Sequence, residues 1–192
     1  MTKVAIVYHS GFGHTKLQAE AVEQGAASVD GVETLLVPAE DAAGNLDQFA
    51  DADAIIFGAP TYMGSASAGM KTFMDATSKV WFSQGWKDKI AGGFTNSHSL
   101  SGDKVNTLFQ FVVLAAQHGM IWVGQGEPNG SDEAGQAGHP DAVNRIGGYL
   151  GAMAQSENAP AEEGNPPAGD IKTAFHYGAR IAKIAKRFGA AH

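Results

Sequence analysis

The sequence predicts an α/β fold: an open parallel sheet of five strands in the order 2-1-3-4-5, with helices on both faces. Three observations carry this. Short apolar runs recur at residues 4–8, 32–37, 54–57, 90–94 and 120–123. Stretches of helical spacing separate them, as the crossovers of a parallel sheet require. Each run stops at a loop rich in Gly, Pro, Ser or Thr, and the 25 glycines among 192 residues exceed the ordinary share. Ligands of such sheets bind outside the carboxyl ends of the strands, at the switch point between strands 1 and 3. The loops at residues 9–15, 59–66 and 95–102 therefore become the place to look for chemistry.

The elements follow in order. Strand one leads through His9 to Thr15 into a helix with Leu17, Ala21, Val22 and Ala26 near i, i+4, i+5 and i+9. Gly31 closes that helix, strand two ends at Pro38, and Leu46 with Phe49 marks a short helix. Strand three ends at Gly58-Ala59-Pro60-Thr61-Tyr62, after which Met70, Phe73 and Met74 share one helical face. Strand four ends in Thr95-Asn96-Ser97-His98, and residues 108–117 predict a strongly buried helix before strand five. In residues 171–188, Phe175, Gly178, Ile181, Ala182 and Ala185 keep helical spacing, with Lys186 and Arg187 where the helix dipole favours cations. Residues 124–170 fit no element, and structureless loops beyond about 15 residues are uncommon in a compact domain. They read as an insertion after or within strand five. Residues 145–153 are expected to return to the sheet edge, and 158–169 to form a surface excursion. The whole chain, 1–192, reads as one domain.

Composition narrows the function. Lys and Arg total 13 against 20 Asp and Glu, a net charge of −7, so nucleic acid and anionic membrane are poor partners. Cysteine is absent, which excludes thiolate nucleophiles, disulfides and Cys-ligated metals, so any redox chemistry must come from a bound cofactor. The seven histidines show no metal-ligand spacing, and no metal is expected. No window approaches 18 apolar residues and the first residues lack a signal-peptide pattern, so a cytoplasmic protein without a membrane span is expected.

The loops carry the candidate site. Ser10 to Thr15 leaves a strand and enters a helix, where free backbone N–H groups and a partial positive charge can cradle a phosphate without Lys or Arg. Read alone, it is equally an ordinary βα turn. It is neither a Walker A sequence nor G-x-G-x-x-G, since Lys16 stands at the third glycine. Gly58 to Gly64 can border a flat ring, or be a rigid turn. Thr95 to Gly102 offers small hydroxyls to a ring or a ribityl chain. Gly64-Ser65-Ala66-Ser67-Ala68-Gly69 lacks the G-x-S-x-G spacing of a hydrolase nucleophile. The acidic pair of a phospho-acceptor regulator is missing after strand one.

Taken together, these stretches resemble the flavodoxin-like FMN proteins, most closely the WrbA-type NAD(P)H:quinone oxidoreductases. Val-Tyr-His-Ser-Gly-Phe-Gly-His-Thr at 7–15 resembles their FMN-phosphate loop. Gly-Ala-Pro-Thr-Tyr-Met-Gly at 58–64 resembles their Gly-Thr-Pro-Thr-Arg-Phe-Gly segment. Residues 70–77 through Trp81 resemble the family's Phe-Leu-Asp-Gln-Thr…Trp helix, and His118-Gly119-Met120 its His-Gly-Met before strand five. Tyr177-Gly178-Ala179-Arg180 resembles the start of its last helix. Departures fall at Phe12, where the family has Tyr, at Tyr62, where it has Arg, in the third loop, and across 124–170.

The resemblance implies a flavodoxin-like fold, FMN as cofactor, NAD(P)H and quinones as small-molecule substrates, and a homodimer or homotetramer. It implies that Ser10, Gly11, Phe12, Gly13, His14 and Thr15 hold the FMN phosphate. Pro60, Thr61, Tyr62, Met63 and Gly64 would border the isoalloxazine, with Thr95, Asn96, Ser97, His98 and Ser101 completing the site. Trp81 is expected to stack on the flavin, in some relatives across a subunit contact. His118 is expected to serve the quinone oxygen as a proton or hydrogen-bond donor, with His98 second for that task. Two rival readings remain: an electron-transfer flavodoxin with no substrate of its own, and a flavodoxin-like scaffold without cofactor.

Overall fold

A computed structural model describes residues 1–130 and 139–190. The chain runs β1 (Thr2–Tyr8), α1 (His14–Ala27), β2 (Val32–Pro38), α2 (Ala39–Ala42) and a 3-10 turn at Leu46–Phe49. It continues through β3 (Ala54–Tyr62), β4 (Ser65–Ala66), α3 (Ala68–Ala76), α4 (Ser78–Phe82) and β5 (Ile90–Ser97). It ends with α5 (Lys104–Gln117), β6 (Ile121–Trp122), β7 (Ala152–Gln155) and α6 (Ala168–Gly189). The parallel sheet has the order β2-β1-β3-β5-β6, with β7 also on β5 and β4 forming a short antiparallel pair with β3. This is the expected 2-1-3-4-5 arrangement, with β5 in fourth place and β6 and β7 sharing the fifth.

The central strands are buried on both faces, which explains their near-continuous apolar runs. Along β1, Ala5 and Val7 enter one core while Val4 and Ile6 enter the other. The first core lies under α3 and α5 and holds Phe49, Phe57, Phe73, Trp86 and Phe111. Phe57 stands 6.0 Å from Phe111 and 6.3 Å from Trp86 between ring centroids. The second core lies under α1 and α6. There the two helices meet main chain to main chain: a Cβ on Gly25 would fall 1.9 Å from the Phe175 carbonyl oxygen, and one on Gly178 would fall 1.9 Å from that of Val22.

The insertion interrupts the fifth strand rather than following it. β6 pairs with Ile90 and Ala91, whereas β7 pairs with residues 94–97 of β5. Residues 145–153 do return to the edge, through β7 from Ala152. The gap between the two half-strands is closed by a side chain. Gly93 N–H donates to Tyr177 Oη at 3.1 Å, and Tyr177 Oη donates to the Val123 carbonyl at 2.6 Å. Tyr177 is fully buried, and burial pushes its hydroxyl pKa up, which keeps the donor proton in place. Among the described residues, no helix is long and apolar enough to cross a membrane.

Tyr177→Phe removes one oxygen and leaves Gly93 N–H and Val123 C=O unpaired. A loss of about 1–3 kcal/mol is expected, read as a lower urea midpoint at constant m-value.

Candidate functional site

A cleft of about 500 Å³ opens at the carboxyl ends of β1, β3 and β5. That volume lies within the range of small-molecule sites. Its first wall is the turn from β1 into α1. Gly13 takes φ +93°, a left-handed conformation that favours glycine. Ser10 Oγ accepts from Gly13 N–H and Lys16 N–H, both at 3.1 Å, so this hydroxyl fixes the turn and caps the helix. Among the described residues, the amides of Gly11, Phe12, His14 and Thr15 make no hydrogen bond. Four free N–H groups at the positive end of a helix form an anion cradle.

The second wall is the end of β3: Pro60, Thr61 and Tyr62. Tyr62 leans over the turn, so that a Cβ on Gly11 would lie 2.5 Å from its hydroxyl oxygen. Its ring meets exposed Phe12 edge-on at 6.3 Å, making an aromatic lip. Thr61 Oγ1 lies 2.8 Å from both Thr95 Oγ1 and Thr107 Oγ1, a buried hydroxyl chain joining β3, β5 and α5. The third wall, from β5, is Asn96, Ser97 and His98. Asn96 Nδ2 donates to Ser156 Oγ at 2.7 Å, whereas its buried Oδ1 has no partner.

The fourth wall is residues 156–160, which follow β7. Asn165 shapes this segment. Its Oδ1 accepts from Glu157 N–H at 2.8 Å, and its Nδ2 donates to the Pro160 carbonyl at 3.0 Å. His14 Nε2 reaches the Ala159 carbonyl at 2.9 Å, and a Cβ on Gly13 would lie 2.9 Å from Ala161 Cβ. The segment thus rests on the anion cradle. Below it, Asp170 accepts Arg145 Nε and Nη2 and the Gln155 amide, each at 2.8 Å. This buried fork fastens β7 to α6.

Not every expected site residue reaches the cleft. Thr95 is wholly buried behind Thr61. Met63 is fully exposed at φ +49°, and with Gly64 it shapes the turn into β4 outside the cleft. Ser101 borders a second cavity beside Leu100 and Lys104. His118 ends α5, a crossover helix that runs antiparallel to the strands, so it lies at the opposite edge of the sheet. There it is buried, 2.9 Å from Thr77 Oγ1 through Nε2 and 4.6 Å from the Trp86 ring, and burial pushes its pKa down. The expected service of His118 to a quinone in its own chain's cleft is therefore corrected to a neutral, structural imidazole. Trp81 stands half-exposed on α4 beside exposed Phe82, and it does not line the cleft of its own chain. Sequence reasoning missed Ser156 to Pro160. Residues 158–160 fall in the expected surface excursion 158–169, residues 156 and 157 fall in no expected element, and no local motif ties the stretch to a turn some 150 positions earlier.

The wall chemistry fits FMN. Free amides face an anion without a competing cation, an orphaned Asn96 Oδ1 can accept from a ring N–H, and aromatic edges border the opening. The sequence matches the family described as NADPH-dependent FMN reductase over residues 13–134. It is 43% identical over 191 residues to Flavodoxin FldP of Pseudomonas aeruginosa (strain UCBPP-PA14), covering 99% of this chain and all of that protein. It is 32% identical over 212 residues to an NAD(P)H dehydrogenase (quinone) of Geotalea uraniireducens (strain Rf4), covering 96% of this chain and 98% of that one. The crystal structure of a flavodoxin, WrbA-like protein from Agrobacterium tumefaciens superposes with a TM-score of 0.74 at 41% identity, covering 98% and 99% of the two chains.

Asp170→Ala strands the Arg145 guanidinium in the protein interior. The variant is expected to lose about 3–5 kcal/mol in urea unfolding.

Proposed function

Because the chain belongs to the NADPH-dependent FMN reductase family and has a flavodoxin-like, WrbA-type fold, we propose that its cleft holds FMN and that it moves electron pairs from NAD(P)H to a quinone. The observation that carries this reading is the cradle of free amides at the start of α1, walled in by residues 156–160. The amides of Gly11, Phe12, His14 and Thr15 would hold the phosphate, with Ser10 and Gly13 setting their direction. Pro60, Thr61 and Tyr62 would border the ring, and Asn96, Ser97 and His98 would serve its polar edge. When bound, FMN supplies a two-electron relay between nicotinamide and acceptor.

The chain's own tasks are to orient, to exclude water and to manage a proton. Tyr62 and Phe12 offer apolar faces to a substrate ring at the mouth. His98 replaces His118 as the proton donor in this reading. Its Nδ1 lies 3.3 Å from the Ser156 carbonyl, so Nδ1 carries a hydrogen toward that oxygen, and Nε2 is the position that would take up a proton from solvent and hand it to substrate. Trp81 would reach a flavin only from a second copy of the chain, which makes a homodimer or homotetramer part of the proposal.

A second reading, an electron carrier without a small-molecule substrate, is favoured by the similarity to Flavodoxin FldP and by the exposed rim of Phe12 and Met63. Purified protein loaded with FMN and mixed with NADH or NADPH and benzoquinone separates them. Steady turnover supports the reductase, yellow protein without turnover supports the carrier, and failure to bind FMN overturns both.

Ser10→Ala removes the cap that sets the cradle. FMN affinity, read by quenching of flavin fluorescence, is expected to fall about 5–30-fold, equivalent to about 1–2 kcal/mol.

A further inference from the structure

We propose that Lys104 is the charge that sets the redox poise of the cleft: a buried cation one hydrogen bond behind the wall, it favours added negative charge on a bound flavin. The proposal rests on the FMN reading above and goes beyond it, since nothing in the family assignment gives this residue a role.

Lys104 opens α5, and its side chain turns back beneath the third wall, leaving the residue 1% exposed. Its Nζ donates to Ser97 Oγ at 2.7 Å, to the Leu100 carbonyl at 2.9 Å and to the Ser99 carbonyl at 3.0 Å. All three acceptors are neutral, and Ser97 itself lines the cleft. Among the described residues, no carboxylate touches the ammonium. Asp170 is the acid that acts on it at longer range, and that carboxylate is held by Arg145.

The placement is costly on two counts. A buried cation loses hydration, and the first turn of a helix is the wrong end of its dipole for a positive charge. A neutral donor would satisfy the same oxygens at lower cost, so the charge needs a reason. The wall supplies one. A positive charge behind Ser97 acts through protein rather than water, where screening is weak. The oxidised ring is neutral; taking up two electrons and one proton at N5 leaves a hydroquinone whose N1 carries one negative charge as long as N1 stays deprotonated. Lys104 therefore tightens the reduced form relative to the oxidised form.

Burial lowers the Lys104 pKa to about 8; Arg145 lowers it too and Asp170 opposes them. By linkage, a charge that favours reduced FMN has its own pKa raised when FMN is reduced. Between about pH 8 and the higher pKa of the reduced state, reduction then draws an extra proton onto Lys104 and the potential falls more steeply with pH; above that window the lysine is neutral in both states. Below pH 8 the lysine is already charged in both states and contributes no slope. The other charged groups nearby are Asp103 beside it, Arg145, Asp170, and His98 and Glu157 lining the cleft.

The test uses FMN-loaded wild type, Lys104→Gln, Lys104→Arg and His98→Gln, with potentials measured from pH 6 to 10 and oxidised FMN affinity measured alongside. Lys104→Gln is expected to lower the reduced-over-oxidised affinity ratio at least tenfold at pH 7, about 30 mV for a two-electron couple. It should also abolish the break near pH 8. Lys104→Arg should restore the potential, and His98→Gln should keep the break. Equal loss of affinity in both redox states, with an unchanged potential, overturns the proposal and leaves Lys104 as a loop clamp. If Lys104→Gln does not fold, the other proteins decide: a break near pH 8 that Lys104→Arg shifts upward supports the proposal, and a straight profile overturns it. A wild type that binds no FMN overturns the cofactor reading and this proposal together, whereas FMN bound at identical potentials overturns this proposal alone.

Discussion

A buried sheet edge tolerates an interruption only when the amides and carbonyls it strands find other partners. That constraint governs this molecule. The fifth strand position is shared by two half-strands far apart in sequence, and one phenolic oxygen spans the break by accepting from Gly93 and donating to Val123. With the break satisfied, the chain is free to leave the sheet after Val123 and re-enter at Ala152. Re-entry aims the following residues at the cleft. The fourth wall exists because the strand is split, and it stays in place because Asp170, Arg145 and Asn165 tie its two ends down.

The cleft presents backbone dipoles at its surface and holds a charge at its back. Among the described residues its lining contains no Lys or Arg, and its acidic member is Glu157. A phosphate there meets backbone N–H groups, which cost no side-chain entropy to hold in place. The cation is displaced one layer, into Lys104. In the proposed function this division separates two jobs: amides at the surface would grip the tail of the ligand, while the hidden ammonium would act on the head without forming a salt bridge to the tail.

Most of the fold was legible in the sequence because parallel strands buried on both faces leave short, dense apolar runs. The positions of the three loops, 9–15, 59–66 and 95–102, followed from topology alone. What stayed illegible depended on direction and distance. His118 sits in a recognisable His-Gly-Met, yet a crossover helix carries its end to the far edge of the sheet, and that follows only once the helix is laid antiparallel to the strands. Thr95 and Ser101 lie near wall residues, but Thr95 sits deeper, covered by Thr61, and the loop turns Ser101 toward the second cavity. Ser156 to Pro160 had no signal at all. Their place depends on one amide side chain, Asn165, and on a bidentate pair joining Arg145 to Asp170, neither of which leaves a periodic trace.

The crossing of α1 and α6 through Gly25 and Gly178 has its own consequence. Backbone touching backbone leaves no rotamer to adjust, so the spacing of these two helices is effectively a constant of the molecule. One of them begins at the cradle and the other at the residue that fastens the fourth wall. The floor and the far rim of the cleft are thereby mounted on a single stiff frame. Variation in ligand size would have to be absorbed at the aromatic lip, where Phe12 is exposed and Tyr62 partly so, and that corner is the natural place to engineer a broader substrate range.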